Sequence, residues 1–279
     1  MTGPSLETRN LEFRNLEFLD RPEAGRVLFH PRPDGYMPAQ GPFTRAVRVA
    51  VAPGIELGGL AFIVDSQAPL ILYFHGNGEL ASEYDDIAEL YRRLDISLLV
   101  IDFRGYGRSG GHPNATTLVT DADAVLTQVP TLLSGLGLTP KAWFVMGRSL
   151  GSAAAIEIAA RGGRPSGHGL AGLIVESGFA LSLALVTRLG GRLPPEADEQ
   201  RDGFGNVEKI ASVTLPTLVL HGAEDWIIPA TEGEMLFHRS GARDKHLLII
   251  PGAGHNDLMF VGRKEYFDAI YAFVRLYGG

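Results

Sequence analysis

Hydrophobic and polar positions follow two different periods along the chain from residue 45 onwards. The stretch "RAVRVAV" alternates as a half-buried strand does, Ala52, Pro53 and Gly54 favour a turn, and "IELGGLAFIV" after them is the expected hairpin partner. Six short apolar runs follow, namely "LILYF", "SLLVI", "AWFVM", "LIVE", "TLVLH" and "HLLII". Such continuous runs are typical of strands that are buried on both faces of a parallel sheet.

Stretches with helical character separate these runs. We expect helices near residues 83–94 and 115–133, after Ser149, after Pro229 and over residues 265–275. Buried strands that alternate with helices predict an α/β fold, with a mostly parallel eight-stranded sheet and helices on both of its faces. We expect one domain over residues 45–279 and an N-terminal extension over residues 1–44.

Two segments depart from this rhythm. The extension contains the tandem repeat "RNLEFRNLEF", whose period of five residues fits no solenoid and to which no function is assigned. Residues 187–206, "TRLGGRLPPEADEQRDGFGN", are polar and rich in glycine and proline. We expect them to form a short surface lid that contributes nothing to the core.

Composition excludes several classes of function. Hydrophobic residues make up 45% of the chain and allow a large core, while the net charge of −7 and the lack of a basic stripe argue against nucleic acid as a partner. The absence of cysteine excludes disulfides, thiolate metal sites and cysteine nucleophiles. No apolar leader and no uncharged run of about 18 residues is found, so we expect a cytoplasmic protein without a membrane span.

A serine between two glycines marks the most informative position. Gly147-Arg148-Ser149-Leu150-Gly151 joins a predicted strand to a predicted helix, and the residues that follow are all small. A helix cap would explain the serine but not both glycines, whereas a sharp turn that exposes a nucleophilic hydroxyl requires them. The sequence therefore predicts that Ser149 is a nucleophile.

A serine nucleophile needs a base and a carboxylate that orients the base. His255 lies in the glycine-rich loop "PGAGHNDL" after the last strand, on the sheet edge where Ser149 is expected. His221 is a weaker candidate base, and His75 is expected to shape its own loop. Asp225 follows the strand "TLVLH" and is the favoured acid, with Glu224 and Asp257 as rivals.

Two loops carry further candidate chemistry. The stretch "YFHGNGE" follows a strand, and its glycines allow close approach of the backbone, so the N–H groups of Asn77 and Leu150 are the predicted oxyanion hole. The stretch "GYGRSG" matches a dinucleotide-binding pattern literally. The helix that follows this stretch begins too late for its N-terminus to hold a pyrophosphate. We therefore interpret "GYGRSG" as a bent loop.

An apolar stretch near the predicted nucleophile is a candidate acyl pocket. The segment "SGFALSLALV" offers Phe179, Leu181, Leu183 and Leu185 as one wall, with Trp226 and Ile227 opposite. The alternative is that these leucines pack a lid helix onto the sheet. Phe179, Leu183, Trp226 and Ile227 are the predicted substrate-binding residues.

Taken together, the motifs "HGNGE", "DFRGYGRSGG", "GRSLG", "HGAEDWIIP" and "GAGHND" resemble the α/β-hydrolase superfamily in content and order. They are most similar to a small-lidded esterase group that includes depalmitoylating α/β-hydrolase-domain proteins. The resemblance covers the chain from about residue 45 to its end. It implies the α/β-hydrolase fold, with Ser149, Asp225 and His255 as a catalytic triad.

These features predict a serine carboxylesterase that acts on a small-molecule ester of short to medium acyl length, without a metal or an organic cofactor. A thioesterase and an amidase or peptidase share the same apparatus. The alternative from a different class is a protein that keeps the fold and only binds a ligand. The sequence does not determine the oligomeric state.

Overall fold

The computed structural model describes residues 13–36, 39–162 and 169–279. Eight strands within them form one sheet: β1 Thr44–Ala52, β2 Ile55–Phe62, β3 Leu70–Phe74, β4 Ser97–Ile101, β5 Trp143–Arg148, β6 Leu170–Glu176, β7 Thr217–Gly222 and β8 Lys245–Ile250. Their order is β1-β2-β4-β3-β5-β6-β7-β8. The pairs β1–β2 and β2–β4 are antiparallel, and the other pairs are parallel. The predicted α/β fold with a mostly parallel eight-stranded sheet is confirmed.

Helices connect the strands and cover both faces of the sheet. They are α1 Pro22–Leu28, α2 Asp85–Arg92, α3 Ala115–Leu136, α4 Gly151–Ala160, α5 Ser182–Arg188, α6 Glu199–Asp202, α7 Asn206–Ser212, α8 Ala230–Arg239, α9 Leu258–Val261 and α10 Arg263–Tyr277. The five helices that the sequence predicts are present. The helices that it does not predict have seven residues or fewer, too short for a full amphipathic repeat.

Side chains that alternate along the central strands build two core layers. In β3, Leu72 and Phe74 face a core that α3 and α4 cover, whereas Ile71 and Tyr73 face a core that α2 and α10 cover. Because successive side chains of a strand point to opposite faces, an apolar run of five residues supplies both layers. This explains why the inner strands read as uninterrupted hydrophobic stretches.

The described part of the N-terminal extension packs into the first of these layers. Leu16, Leu19 and Leu28 are almost fully buried and belong to the same core as β3 and β5. A boundary at residue 45 remains a prediction, and the first four residues of the RNLEF repeat, 9–12, lie outside the described residues. No helix within the described ranges is long and apolar enough to cross a bilayer.

The predicted lid needs one correction. Most of its exposed positions lie between α5 and α6, but the end of the segment enters the core. Phe204 is fully buried with its ring 5.9 Å from that of Phe179, and the Asn206 amide donates to the Phe179 carbonyl at 2.9 Å. The expectation that the whole segment lies outside the core is therefore wrong, because one aromatic residue in a polar stretch is sufficient to anchor its end.

Candidate active site

Ser149 lies in a tight turn between β5 and α4. Its φ of +51° is in the left-handed region, which non-glycine residues rarely adopt. A Cβ on Gly147 would lie 2.2 Å from the Gly151 carbonyl oxygen, and a Cβ on Gly151 would lie 2.1 Å from the Phe74 carbonyl oxygen. Both glycines are thus required by close backbone packing, and a strained serine at the end of a strand is the feature that such a turn produces.

Three side chains from three loops form a continuous hydrogen-bonded row. The Nε2 atom of His255 lies 2.9 Å from the Ser149 Oγ, and its Nδ1 atom lies 2.7 Å from Asp225 Oδ2. A carboxylate only accepts hydrogen bonds, so Nδ1 of a neutral imidazole carries the proton and Nε2 accepts from the serine hydroxyl. This arrangement can withdraw a proton from Ser149 when its oxygen attacks an electrophile.

Asp225 is held in place by its own loop. Its Oδ1 accepts the backbone N–H groups of Ile227 at 3.0 Å and Ile228 at 2.8 Å. Burial raises the pKa of Asp225, but hydrogen bonds from His221 and His255, together with the charge of His255, outweigh burial and hold that pKa well below its usual value. The carboxyl group is therefore ionised throughout the neutral pH range.

The rival carboxylates have other positions. Glu224 is exposed to solvent, and Asp257 accepts the Gly254 N–H at 2.6 Å within the histidine loop. Asp225 is the carboxylate that the His255 imidazole contacts.

The rival histidines are engaged elsewhere. His221 is fully buried, with Nε2 at 2.8 Å from the Ile228 carbonyl and 3.4 Å from Asp225 Oδ2. His75 is also fully buried, between the Gly76 carbonyl at 2.8 Å and Asp102 at 3.3 Å. His221 thus supports the acid loop, and His75 holds the loop that contains Asn77.

The row of side chains opens into a cavity of about 210 Å³. Its lining includes Leu28, His30, Asn77, Arg148, Ser149, Leu150, Leu185, Leu189, Ile227, His255 and Asn256. Among hydrogen bonds between described residues, neither the Asn77 nor the Leu150 backbone N–H has an acceptor. Both predicted oxyanion donors therefore line the cavity beside Ser149 with their N–H groups available. Larger cavities lie elsewhere, such as one of about 280 Å³ between β8 and α10, but its lining includes no serine.

The predicted acyl-pocket residues are only partly brought together. Ile227 lines the cavity, but Phe179, Leu183 and Trp226 do not. Phe179 and Leu183 are buried in the core, and Trp226 is 89% exposed on the outer surface. Of the segment "SGFALSLALV", Leu185 is the residue that lines the cavity. Only one side of α5 faces the cavity, so the other leucines of the segment point elsewhere.

Arg148 is a site residue that the sequence analysis did not single out. Its guanidinium is buried, pairs with the carboxylates of Glu79 and Glu176, and donates to the His255 carbonyl at 2.8 Å and to Asn256 Oδ1 at 2.9 Å. Three loops around Ser149 are thus joined by one side chain. The sequence signal that could have identified Arg148 is its position as a charged residue at the end of an apolar strand.

Two buried tyrosines complete the surroundings of Glu176. Burial raises the pKa of Tyr73 and of Tyr266 well above its usual value, and the charge of Glu176 adds to this effect. Both hydroxyls therefore stay protonated, at 3.2 Å and 2.7 Å from Glu176 Oε2. Within the described ranges, no cluster of three or more histidine, aspartate and glutamate side chains is arranged to hold a metal ion.

Known proteins share this architecture. Residues 65–188 and 205–259 match the model of a family described as serine aminopeptidase, S33. The unmatched gap, residues 189–204, covers most of the connection between α5 and α7. The matched residues include Asn77, Ser149, Asp225 and His255.

Two curated relatives are similar to most of this chain. An uncharacterized protein of Mycobacterium tuberculosis is 34% identical over 86% of this chain and 85% of its own length. Human alpha/beta hydrolase domain-containing protein 17B is 29% identical over 73% of this chain and 65% of its own length.

Among solved structures, the Pyrococcus furiosus esterase Pf2001 superposes with a TM-score of 0.69 at 17% identity, over 89% of this chain and all of that chain. Est1E from Butyrivibrio proteoclasticus gives a TM-score of 0.61 at 18% identity, over 83% and 98% of the two chains. At such identities, the structures support a common fold.

Proposed function

The chain belongs to the α/β-hydrolase superfamily, and from that premise we propose that it is a serine hydrolase that cleaves carboxylic esters through an acyl-enzyme on Ser149. The observation that carries the proposal is the row Ser149–His255–Asp225, with contacts of 2.9 Å and 2.7 Å, beside a cavity that Ser149 and His255 line together with apolar side chains. Neither packing nor capping requires a strained serine in contact with an imidazole that is itself paired to a buried carboxylate.

The reaction follows from the positions of these atoms. The Ser149 Oγ attacks the ester carbonyl carbon while His255 Nε2 accepts the hydroxyl proton. The carbonyl oxygen becomes an oxyanion that the N–H groups of Asn77 and Leu150 stabilise. Asp225 stabilises the imidazolium, which then gives its proton to the departing alcohol. A water molecule, deprotonated by His255, releases the carboxylic acid and restores Ser149.

The cavity favours acyl groups of short to medium length. Its apolar lining consists of Leu28, Leu150, Leu185, Leu189 and Ile227. Each methylene buried against such a lining contributes about 0.8 kcal/mol. A cavity of about 210 Å³ lies below the range of roughly 300–1,000 Å³ for pockets that hold drug-sized ligands. The gain in binding energy should therefore stop after the first few acyl carbons.

The test is turnover across p-nitrophenyl esters from acetate to palmitate, with thioesters and anilides of matched acyl groups. We expect kcat/KM to rise over the first acyl carbons and to fall for long chains. Ser149→Ala should lower kcat by about 10⁶-fold and abolish labelling by a fluorophosphonate probe. A maximum at palmitate would instead indicate a lipase or a depalmitoylating thioesterase.

The matched control is Ser177→Ala. Ser177 is also buried after a strand, has a φ of +45°, and its hydroxyl has no hydrogen-bond partner among the described residues. This variant should keep labelling and turnover near those of the unmodified protein. Equal labelling of the Ser149→Ala variant would contradict the proposal.

An amidase is the second candidate, because the matched family is described as a serine aminopeptidase. Amide cleavage requires that His255 protonate an amine as it leaves, and the same row of residues can do so. Faster turnover of the anilides than of the matched esters would move the assignment to an amidase. A protein that binds a ligand without catalysis would leave the probe unreacted.

A further inference from the structure

The N-terminal segment contributes directly to the cavity at Ser149. Leu28 and His30 line it, although both lie outside residues 65–188 and 205–259, which match the hydrolase family. We propose that residues 28–30 form a wall of the acyl pocket, with Leu28 as a specificity-determining residue and His30 as a positioning residue for Asn77. This inference rests on the proposed ester hydrolysis, and it identifies the part of the chain that determines which acyl length is preferred.

One end of the segment is anchored in the core. Helix α1 ends at Leu28, whose side chain is 1% exposed, and the preceding Leu19 is fully buried. Helix α1 also packs against α5. Leu185 in α5 and Leu189, the residue directly after α5, line the same cavity. Leu28 is therefore part of a packed wall, so that a change in its size alters the room for an acyl chain.

His30 is hydrogen-bonded to the predicted oxyanion loop. Its backbone N–H donates to Asn77 Oδ1 and to the Tyr106 hydroxyl, each at 2.8 Å. The Asn77 side-chain amide lies 2.7 Å from His30 Nδ1, and the Tyr106 hydroxyl donates to Asn77 Oδ1 at 2.6 Å. Asn77 is thereby held by two separate loops, which orients the residue that carries one of the predicted oxyanion donors.

The following residues hold the segment in place on both sides. The Arg32 guanidinium pairs with Glu83 at 2.7 Å and donates to the Gly78 carbonyl. The Arg32 carbonyl accepts the Gly107 N–H at 2.9 Å, and the Gly107 carbonyl accepts the Asp34 N–H at 2.9 Å. The wall thus joins the Asn77 loop to the bent loop "GYGRSG". That loop has a structural use here, since it carries Tyr106 and Gly107.

The first test measures acyl selectivity. In Leu28→Ala, the preferred p-nitrophenyl ester should become longer, with a gain of about fourfold in kcat/KM for each additional methylene that fits. Leu28→Phe should shift the preference to shorter chains. The matched control is Leu19→Ala, which removes an equally buried leucine of the same segment that does not line the cavity.

The profiles decide the role of Leu28. The control should lower the unfolding temperature and leave the order of preferred esters unchanged. Parallel profiles for the unmodified protein, Leu28→Ala and Leu19→Ala would overturn the inference. Leu28→Met, which nearly conserves volume, should fold and keep the original preference.

The second test separates positioning from folding. His30→Ala should lower kcat about tenfold with little change in KM, since it removes the acceptor of the Asn77 amide and leaves the apolar wall in place. His30→Gln offers that amide a carbonyl acceptor and should restore most of kcat. An unchanged kcat in His30→Ala, or no recovery in His30→Gln, would overturn the positioning role.

Labelling rates with alkyl fluorophosphonates of increasing length compare the chain-length preference of the unmodified protein and the Leu28 variants without an ester substrate. If the unmodified protein neither reacts with these probes nor hydrolyses any ester, the proposed function fails, and the inference fails with it. If it reacts and the Leu28 variants keep its chain-length profile, only the inference about the N-terminal wall is overturned.

Discussion

At the scale of single residues, the identity of the carboxylate beside His255 matters most for the mechanism. Asp225 has one oxygen on the imidazole and the other on two backbone N–H groups of its own loop. The carboxylate can therefore support the charge of the imidazole without moving. Asp257, in contrast, is bonded to the backbone of the histidine loop.

Asp225→Asn should lower kcat by roughly 10⁴-fold, because an amide favours the wrong imidazole tautomer. The asparagine oxygen still accepts the N–H groups of Ile227 and Ile228, so the loop should keep its shape. Asp257→Asn is the matched control and should retain most activity. A greater loss in Asp257→Asn than in Asp225→Asn would show that the wrong carboxylate has been assigned.

The same variant should change how stability depends on pH. The pKa of Asp225 is lowered in the folded protein, so its ionised form stabilises the fold at pH values above the unfolded pKa of about 3.9. This contribution is lost as the pH falls toward the folded pKa. In urea unfolding, the free-energy difference between the unmodified protein and Asp225→Asn should be smaller at about pH 3 than at about pH 5.

At the scale of structural elements, Arg148 at the end of β5 connects the loops that surround Ser149. It reaches Glu79 beside the Asn77 loop, Glu176 at the end of β6 and the backbone of His255 after β8. Removal of one member of a buried ionic group leaves uncompensated charge and typically costs about 3–5 kcal/mol. The arrangement of the site and the stability of these loops therefore depend on the same side chain.

Arg148→Met should lower kcat by about 10²-fold, since small displacements of reacting groups have effects of that size. Arg148→Lys should recover only part of the lost kcat, because an ammonium group lacks the planar guanidinium geometry that reaches several acceptors. The control is Arg161→Met. Arg161 directly follows α4, at the end of the helix away from Ser149, and the substitution breaks its ion pair with Glu157. It should lower the unfolding temperature with kcat unchanged. A normal kcat in Arg148→Met would refute the positioning role.

At the scale of the whole molecule, the N-terminal segment and the sheet form a common core. Leu16, Leu19 and Leu28 are buried in the layer that contains Val145 and Leu72. A segment outside the matched family region is thus part of the interior and not a loose appendage. Its removal would expose both the core and the cavity.

Leu19→Ala should lower the free energy of unfolding by about 2–5 kcal/mol, as is usual when a buried leucine is truncated. For a chain of this size, each kcal/mol corresponds to roughly 2–4 °C, so thermal unfolding should shift by about 4–20 °C in a single transition. Tyr36→Ala, at a side chain that is 62% exposed, is the control and should leave the transition in place. A separate early transition in the unmodified protein would mean that the N-terminal segment unfolds independently.

The sequence by itself determined the order of the elements and the kinds of residue at the edge of the sheet. The strands "LILYF" and "SLLVI" have the predicted bounds, because a fully buried strand has a local hydrophobic pattern that turn residues interrupt at both ends. Ser149, Asp225 and His255 follow parallel strands, so the topology brings their loops to one edge. Their candidacy could therefore be stated before their contacts were known.

Tertiary structure alone decided what surrounds Ser149. Phe179 turns into the core and Trp226 into solvent, whereas Leu28 and His30 reach the cavity from more than 100 positions away in the chain. The sequence favoured Asp225 over Glu224 and Asp257, and the tertiary structure added the contact between Asp225 and the His255 imidazole. Local periodicity reports which face of an element is buried, but which distant residue meets that face is set by the packing of the whole chain.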